Sequence, residues 1–285
     1  MEVNSVAVVG GGQMGGGIAH VAALAGLPVT LIDISPAVLD KALAAIAANL
    51  ERQTRKGTVT GEAAKAALGR IARGTSLSSA AGADIVIEAV PEVFELKKKV
   101  FLELDAACKA STVLASNTSS LPITRLAALT KRPGQVIGMH FMNPVPVMKL
   151  VEIIRGVETT DAVFAAVKGL VETLGKTPAA SQDYPGFISN RILMPMINEA
   201  CFALMEGVAT KEDIDTVMKL GMNHPMGPLQ LADFIGLDTC VSILEILQDG
   251  LGDPKYRPCP LLRKMVEAGR LGKKSGRGFY EWSAS

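Results

Sequence analysis

The chain has 285 residues, enough for one large domain or two medium ones with a sizeable core. A net charge of +1 leaves no electrostatic footprint for nucleic acid or an anionic membrane surface. The four cysteines form no C-x-x-C pair and no metal spacing, and they read as buried thiols of a reducing compartment. No apolar run approaches the ~20 residues that span a bilayer, and the first strand begins almost at Met1, which leaves no room for a signal peptide. The expectation is a soluble cytoplasmic protein.

The chain opens on the stretch that organises the rest. Val6-Ala7-Val8-Val9 is a short apolar run that breaks into Gly10-Gly11-Gly12-Gln13-Met14-Gly15, followed by an Ala-rich helical segment and a second apolar run, Val29-Thr30-Leu31-Ile32, ending on Asp33. This is strand, tight turn, helix, strand, acid. Gly10, Gly12 and Gly15 fit G-x-G-x-x-G, in which the glycines permit a sharp turn, close approach of backbone to a pyrophosphate, and packing of helix on strand. Gln13 and Met14 occupy the variable positions of the same loop. The helix that starts there offers unpaired N–H groups and the positive end of its dipole to phosphates. Asp33 lies 18 residues past Gly15, near the distance at which a carboxylate accepts hydrogen bonds from an adenosine ribose; it also repels a 2′-phosphate, so NAD is favoured over NADP. Asp33 has a second reading, as an acid at the start of the helix that follows Ser35-Pro36.

Leu39, Leu43, Ile46 and Leu50 then follow helical spacing, and a second helix runs through Ala63 to Arg70. The pair reads as a projecting helical hairpin with a basic tip, either a phosphate contact or a solvated face. Strands recur at 84–90 and 112–115, with a helix over 94–108 between them, the alternation of a parallel sheet covered on both faces. Ligands bind such sheets beyond the carboxyl ends of the strands. Three polar clusters fall there: Asp33, Glu92 with Lys97 just inside the next helix, and Ser116-Asn117-Thr118-Ser119-Ser120, whose serines also suit helix capping.

Val136 to Phe141 and Leu150 to Ile154 are apolar runs joined by a connection too short for a parallel crossover. They are expected to pair antiparallel. With the turn centred on Pro146, His140 falls directly opposite Glu152, and a His facing a carboxylate at the ligand edge is a general acid–base candidate. A helix over 161–174 and an edge strand over 177–180 follow. Beyond Tyr184-Pro185-Gly186 only helix signals remain. The predicted fold is a doubly wound α/β Rossmann domain with a mostly parallel sheet and a final antiparallel hairpin, residues 1–185, followed by an all-helical domain, residues 186–285.

Together these blocks resemble the L-3-hydroxyacyl-CoA dehydrogenase family, near its bacterial 3-hydroxybutyryl-CoA members, over nearly the whole chain. The markers are the glycine loop through Ala19, Ser116–Leu121, His140-Phe141-Met142-Asn143-Pro144 leading to Glu152, Pro185–Arg191, Met226-Gly227-Pro228 and Gly272–Tyr280. The resemblance implies NAD as cofactor, an acyl-CoA substrate such as 3-hydroxybutyryl-CoA or acetoacetyl-CoA, and a homodimer. It implies His140 and its partner Glu152 as catalytic residues, and Ser119 and Asn190 as substrate contacts with a catalytic part. Around the dinucleotide it implies Asp33, Glu92, Lys97, Ser119, Asn143 and Lys274; for CoA it implies Lys56 and Asn49. It implies no metal. Two alternatives stay open: a dehydrogenase of a dicarboxylic substrate such as 3-hydroxyadipyl-CoA, and a non-catalytic crystallin-like relative that keeps the NAD loop.

Overall fold

The structure is a computed structural model that describes residues 2–283. The chain divides after Tyr184 into two compact units.

The first unit is built on an eight-stranded sheet of order β3-β2-β1-β4-β5-β6-β7-β8. Its strands are β1 (Val6–Val9), β2 (Val29–Ile32), β3 (Ile71–Gly74), β4 (Ile85–Glu88), β5 (Val113–Ser116), β6 (Val136–Phe141), β7 (Leu150–Arg155) and β8 (Thr177–Gln182). All neighbours run parallel except β6 and β7, which are antiparallel. The central strands are apolar on both faces because both are covered: the successive residues Ala7 and Val8 of β1, and Leu114 and Ala115 of β5, have no exposed surface. Helices α1 (Gln13–Leu24), α2 (Pro36–Arg55), α3 (Gly61–Gly69), α4 (Phe94–Ala107), α5 (Ile123–Ala127) and α6 (Asp161–Thr173) supply the cover. Pro36 opens α2, where its missing N–H leaves no helical bond unmade.

Two features depart from the sequence expectation. The sheet has an extra edge strand, β3, directly after α3, where only the end of a helix was expected; Ala72 and Arg73 are exposed and carry no apolar signal. At the other edge β8 runs to Gln182, two residues beyond its expected end, and pairs parallel with β7. The antiparallel pair is therefore inside the sheet, one strand short of its edge.

The second unit packs α7 (Ser189–Met205), α8 (Lys211–Thr216), α9 (Pro228–Ile235), α10 (Leu237–Leu251) and α11 (Pro260–Glu267) around Ile197, Cys201, Leu229, Cys240, Leu244 and Leu262. The segment after α11 is held by two buried carboxylates. Asp233 Oδ1 accepts the Phe279 N–H and Oδ2 accepts the Tyr280 N–H and Trp282 Nε1–H, each at 2.9 Å. Asp215 accepts the Leu229 and Gln230 N–H groups and the Tyr280 hydroxyl. All four cysteines are buried free thiols, and burial pushes Cys240 up to about 12. Among the described residues no helix is long and apolar enough to cross a membrane.

Candidate active site

The parallel registers align the carboxyl ends of β1, β2, β4 and β5 along one edge, with Val9 beside Ile32 and Glu88, and Glu88 beside Ser116. The glycine turn leaves β1 at this edge. Gly10 has φ +106°, and a Cβ there would sit 2.7 Å from the Ala89 carbonyl oxygen. At Gly15 a Cβ would lie 1.8 Å from the Gly10 carbonyl oxygen, so helix and turn pack backbone to backbone. Gly12, by contrast, meets nothing within 4 Å and caps α1 without a side chain. The first and third glycines of the motif are thus needed for packing, and the second keeps space open at the helix N-terminus, the arrangement a pyrophosphate requires. Gln13 is exposed and its amide donates to the Asn143 side chain at 3.1 Å, while Met14 is half-buried.

Asp33, at the tip of β2, is half-buried and does two things. Its Oδ2 accepts the Gly11 N–H at 2.8 Å and its Oδ1 accepts the Ser35 N–H at 3.0 Å. The acid braces the glycine turn and the start of α2 together.

β6 continues past β5 and carries His140 as its next-to-last residue. The register places His140 opposite Glu152 on β7. The two side chains meet: His140 Nδ1 lies 3.2 Å from Glu152 Oε2, with His140 7 % and Glu152 1 % exposed. A carboxylate at Nδ1 favours the tautomer protonated there, which leaves the lone pair on Nε2. Asn117 adds a brace, since its side-chain carbonyl accepts the Phe141 N–H at 2.9 Å and ties the end of β5 to the residue after His140.

Ser119 is half-buried in the turn after β5. Glu92 caps this turn: its Oε1 accepts the N–H groups of Ser119 and Ser120 and the Ser120 hydroxyl, each at 3.0 Å, and the Thr118 hydroxyl. Burial works to raise the Glu92 carboxyl, but Lys97 and these donors prevail and hold it below its ordinary value. Lys97 is buried in α4, bonded to Glu88 at 2.7 Å.

A cleft of about 610 Å³ opens between α1, α2 and the 143–146 loop, with Gly11 and Gly12 of the glycine turn in its wall. Gln13, Lys41, Asn49, Arg52 and Asn143 line it, and Asn49 accepts from the Arg52 guanidinium. Lys56 sits at the C-terminal cap of α2, fully on the surface and outside that lining. From sequence Lys41 and Arg52 are cations off the apolar face of α2, with only the basic tip of the hairpin read as a phosphate contact; positions 38, 41, 45, 49 and 52 share one helical face.

In the second unit Asn190 is 8 % exposed in the first turn of α7, its N–H bonded to the Gly186 carbonyl. Lys274 lies 2.6 and 2.7 Å from the two Asp238 carboxylate oxygens, on the segment that Asp233 clamps.

The description "3-hydroxyacyl-CoA dehydrogenase, NAD binding domain" matches residues 5–184, and "3-hydroxyacyl-CoA dehydrogenase, C-terminal domain" matches residues 186–282. A probable 3-hydroxybutyryl-CoA dehydrogenase of Bacillus subtilis is 57% identical over 282 residues, covering 99% of this chain and 98% of the relative. A 3-hydroxybutyryl-CoA dehydrogenase of Bradyrhizobium diazoefficiens is 58% identical over 280 residues, covering 98% and 96%. Among solved structures, an (S)-3-hydroxybutyryl-CoA dehydrogenase of Ralstonia eutropha superposes with a TM-score of 0.98 at 50% identity, over 99% of this chain and 100% of that one. With both of the family's domains matched in order and full-length relatives more than half identical, the chain belongs to the 3-hydroxyacyl-CoA dehydrogenase family as an NAD-binding enzyme.

Proposed function

We propose that this NAD-dependent dehydrogenase interconverts (S)-3-hydroxybutyryl-CoA and acetoacetyl-CoA, with His140 as the general acid–base. The observation that carries the reading is the buried pairing of His140 with Glu152 at the carboxyl edge of the sheet.

Oxidising a secondary alcohol removes a proton from oxygen and a hydride from carbon. NAD, when bound, supplies the hydride acceptor, and NADH the donor in reduction. His140 takes the hydroxyl proton on Nε2. The imidazolium so formed faces the Glu152 carboxylate at 3.2 Å, where burial weakens the screening between the charges. Glu152 remains the anion and fixes the ring rather than taking the proton itself. In the reducing direction the same imidazolium returns its proton to the carbonyl oxygen. Ser119 and Asn190, carried over from the family resemblance, donate hydrogen bonds where oxygen charge develops.

The glycine turn of Gly10, Gly12, Gln13, Met14 and Gly15, with Asp33 beside it, holds the dinucleotide; Glu92, Lys97, Asn143 and Lys274 are the further contacts that the resemblance suggests. The cleft that Gly12, Gln13 and Asn143 share with α2 has in Lys41 and Arg52 a cationic lining suited to phosphates, and the resemblance adds Asn49 and Lys56 on α2 as contacts of an acyl-CoA. The C4 substrate follows from relatives that bear 3-hydroxybutyryl-CoA in their names at 57% and 58% identity. A homodimer is supported by apolar side chains at the surface of the helical unit, with Val208 72 %, Leu220 80 % and Met222 60 % exposed; a monomeric mass by light scattering would contradict it. Buried free thiols fit a cytoplasmic setting.

Loss of NADH absorbance with a C4 to C16 panel of 3-ketoacyl-CoA substrates and with 3-ketoadipyl-CoA tests the assignment. The highest kcat/KM is expected for acetoacetyl-CoA, with NADPH a poor substitute. A preference for the dicarboxylic substrate, or no turnover at all, would overturn it.

A further inference from the structure

The connection between β6 and β7, residues 142–149, joins the strand of His140 to the strand of Glu152. Most of it is at the surface: Asn143, Pro144, Val147, Met148 and Lys149 are exposed. Its own bonds curl it into a turn, with the Val147 and Met148 N–H groups both donating to the Pro144 carbonyl at 3.0 Å. These bonds do not attach the turn to the rest of the unit. The apolar attachment is Val145, 2 % exposed, which packs on Gly17 of α1 so closely that a Cβ there would lie 2.8 Å from the Val145 Cβ. A polar attachment comes from Lys176, one residue before β8. Lys176 is 9 % exposed, and its Nζ donates to the Val145 and Met148 carbonyls, each at 2.6 Å. The next residue repeats the link through its backbone, since the Thr177 N–H donates to the Lys149 carbonyl at 2.7 Å. Both acceptors of the ammonium are neutral, and burial lowers it below the ordinary lysine value. An apolar side chain at 176 would avoid the cost of desolvating a charge, but it would leave two carbonyls of the connection without their donor. Asn143 lies two residues before Val145, and its side chain accepts the Gln13 amide at 3.1 Å, next to the glycine turn. At an exposed position it depends on the backbone that carries it.

We propose that Lys176 is a positioning residue for the dinucleotide: by holding the Val145 and Met148 carbonyls it seats the β6–β7 connection against α1, and so keeps Asn143 beside Gln13 at the glycine turn. The proposal rests on the reading of Asn143 as a dinucleotide contact. With its ammonium turned to the connection, Lys176 acts through that backbone and not by contact with the cofactor.

A double-mutant cycle tests it. Lys176→Met, Asn143→Ala and the two together are made in the full chain, and the NADH dissociation constant of each is measured by isothermal titration calorimetry beside that of the native chain. Lys176→Met is expected to weaken NADH binding about 5-fold or more, the scale of losing hydrogen bonds from a charged group. With Asn143→Ala already in place, the same change should move the constant by less than about 2-fold. A merely structural lysine would cost the same factor in both backgrounds, and equal losses would overturn the proposal. Native NADH affinity in Lys176→Met would overturn it too. If Asn143→Ala alone binds NADH as the native chain does, the contact reading fails and the proposal with it. Lys176→Gln keeps a donor group near the two carbonyls and serves where Lys176→Met does not fold. Its smaller loss should likewise vanish without Asn143, and a loss that persists would be equally fatal.

Discussion

A carboxylate beside a glycine turn can be a cap or a ligand, and Asp33, a cap in the structure, keeps capacity for the second part. Its two oxygens each accept a backbone N–H, from Gly11 and Ser35, and a carboxylate has acceptor capacity left after two such bonds. Asp33→Ala removes both braces and the ribose acceptor together. NADH is expected to bind about 10-fold or more weakly, the scale of a hydrogen bond to a charged group, and isothermal titration calorimetry with NADH checks it. Unchanged affinity would leave Asp33 a structural cap only. Both readings were available from the sequence, because the spacing from Gly15 and the following Ser35-Pro36 are local. Lys97 was placed from sequence at the ligand edge with Glu92, but its burial was not legible in the same way. A lysine inside a helix is ordinarily on the surface, and nothing within α4 shows that Glu88 at the end of β4 will bury it.

At the scale of elements, what could be read depended on whether the signal was local. The β6–β7 pair declared its register, because a short connection forces antiparallel pairing and a turn at Pro146 sets His140 opposite Glu152. β3 gave no such signal: two of its four residues are exposed and it ends on Gly74, so only its pairing with β2 makes it a strand. How the C-terminal segment is held was unreadable for a different reason. Asp233 binds Phe279 and Tyr280, 46 and 47 residues on, and no pattern in sequence announces a carboxylate reaching that far. Asp233→Ala leaves those N–H groups unpaired in a buried place, each worth about 1–3 kcal/mol. Amide hydrogen exchange at Phe279 and Tyr280 is expected to speed up while that in α7 stays slow. Protection retained at both amides would contradict the clamp.

Across the whole molecule, acid should loosen the fold through groups such as Glu92. Its carboxyl is held below its ordinary value of 4.5 in the folded chain, so the folded state binds the proton less readily than the unfolded one. That contribution is complete above the ordinary carboxyl range and is lost as pH falls through the lowered folded value. The urea midpoint of the native chain should exceed that of Glu92→Gln at pH 7, and the gap should narrow as pH falls below the ordinary carboxyl range; a gap independent of pH would contradict the sign. The division into a sheet unit and a helical unit was legible from the disappearance of strand patterns after Pro185. The nucleotide end of the first unit was legible because glycine spacing and an acid at a strand tip are read within thirty residues or so. Everything catalytic in the account, however, converges on one imidazole. The direct measurement is turnover of acetoacetyl-CoA by His140→Gln, with NADH binding followed in parallel. A fall in kcat of about 100-fold or more is expected, as for loss of a general acid–base, with NADH affinity nearly unchanged; a fully active variant would contradict this role of His140.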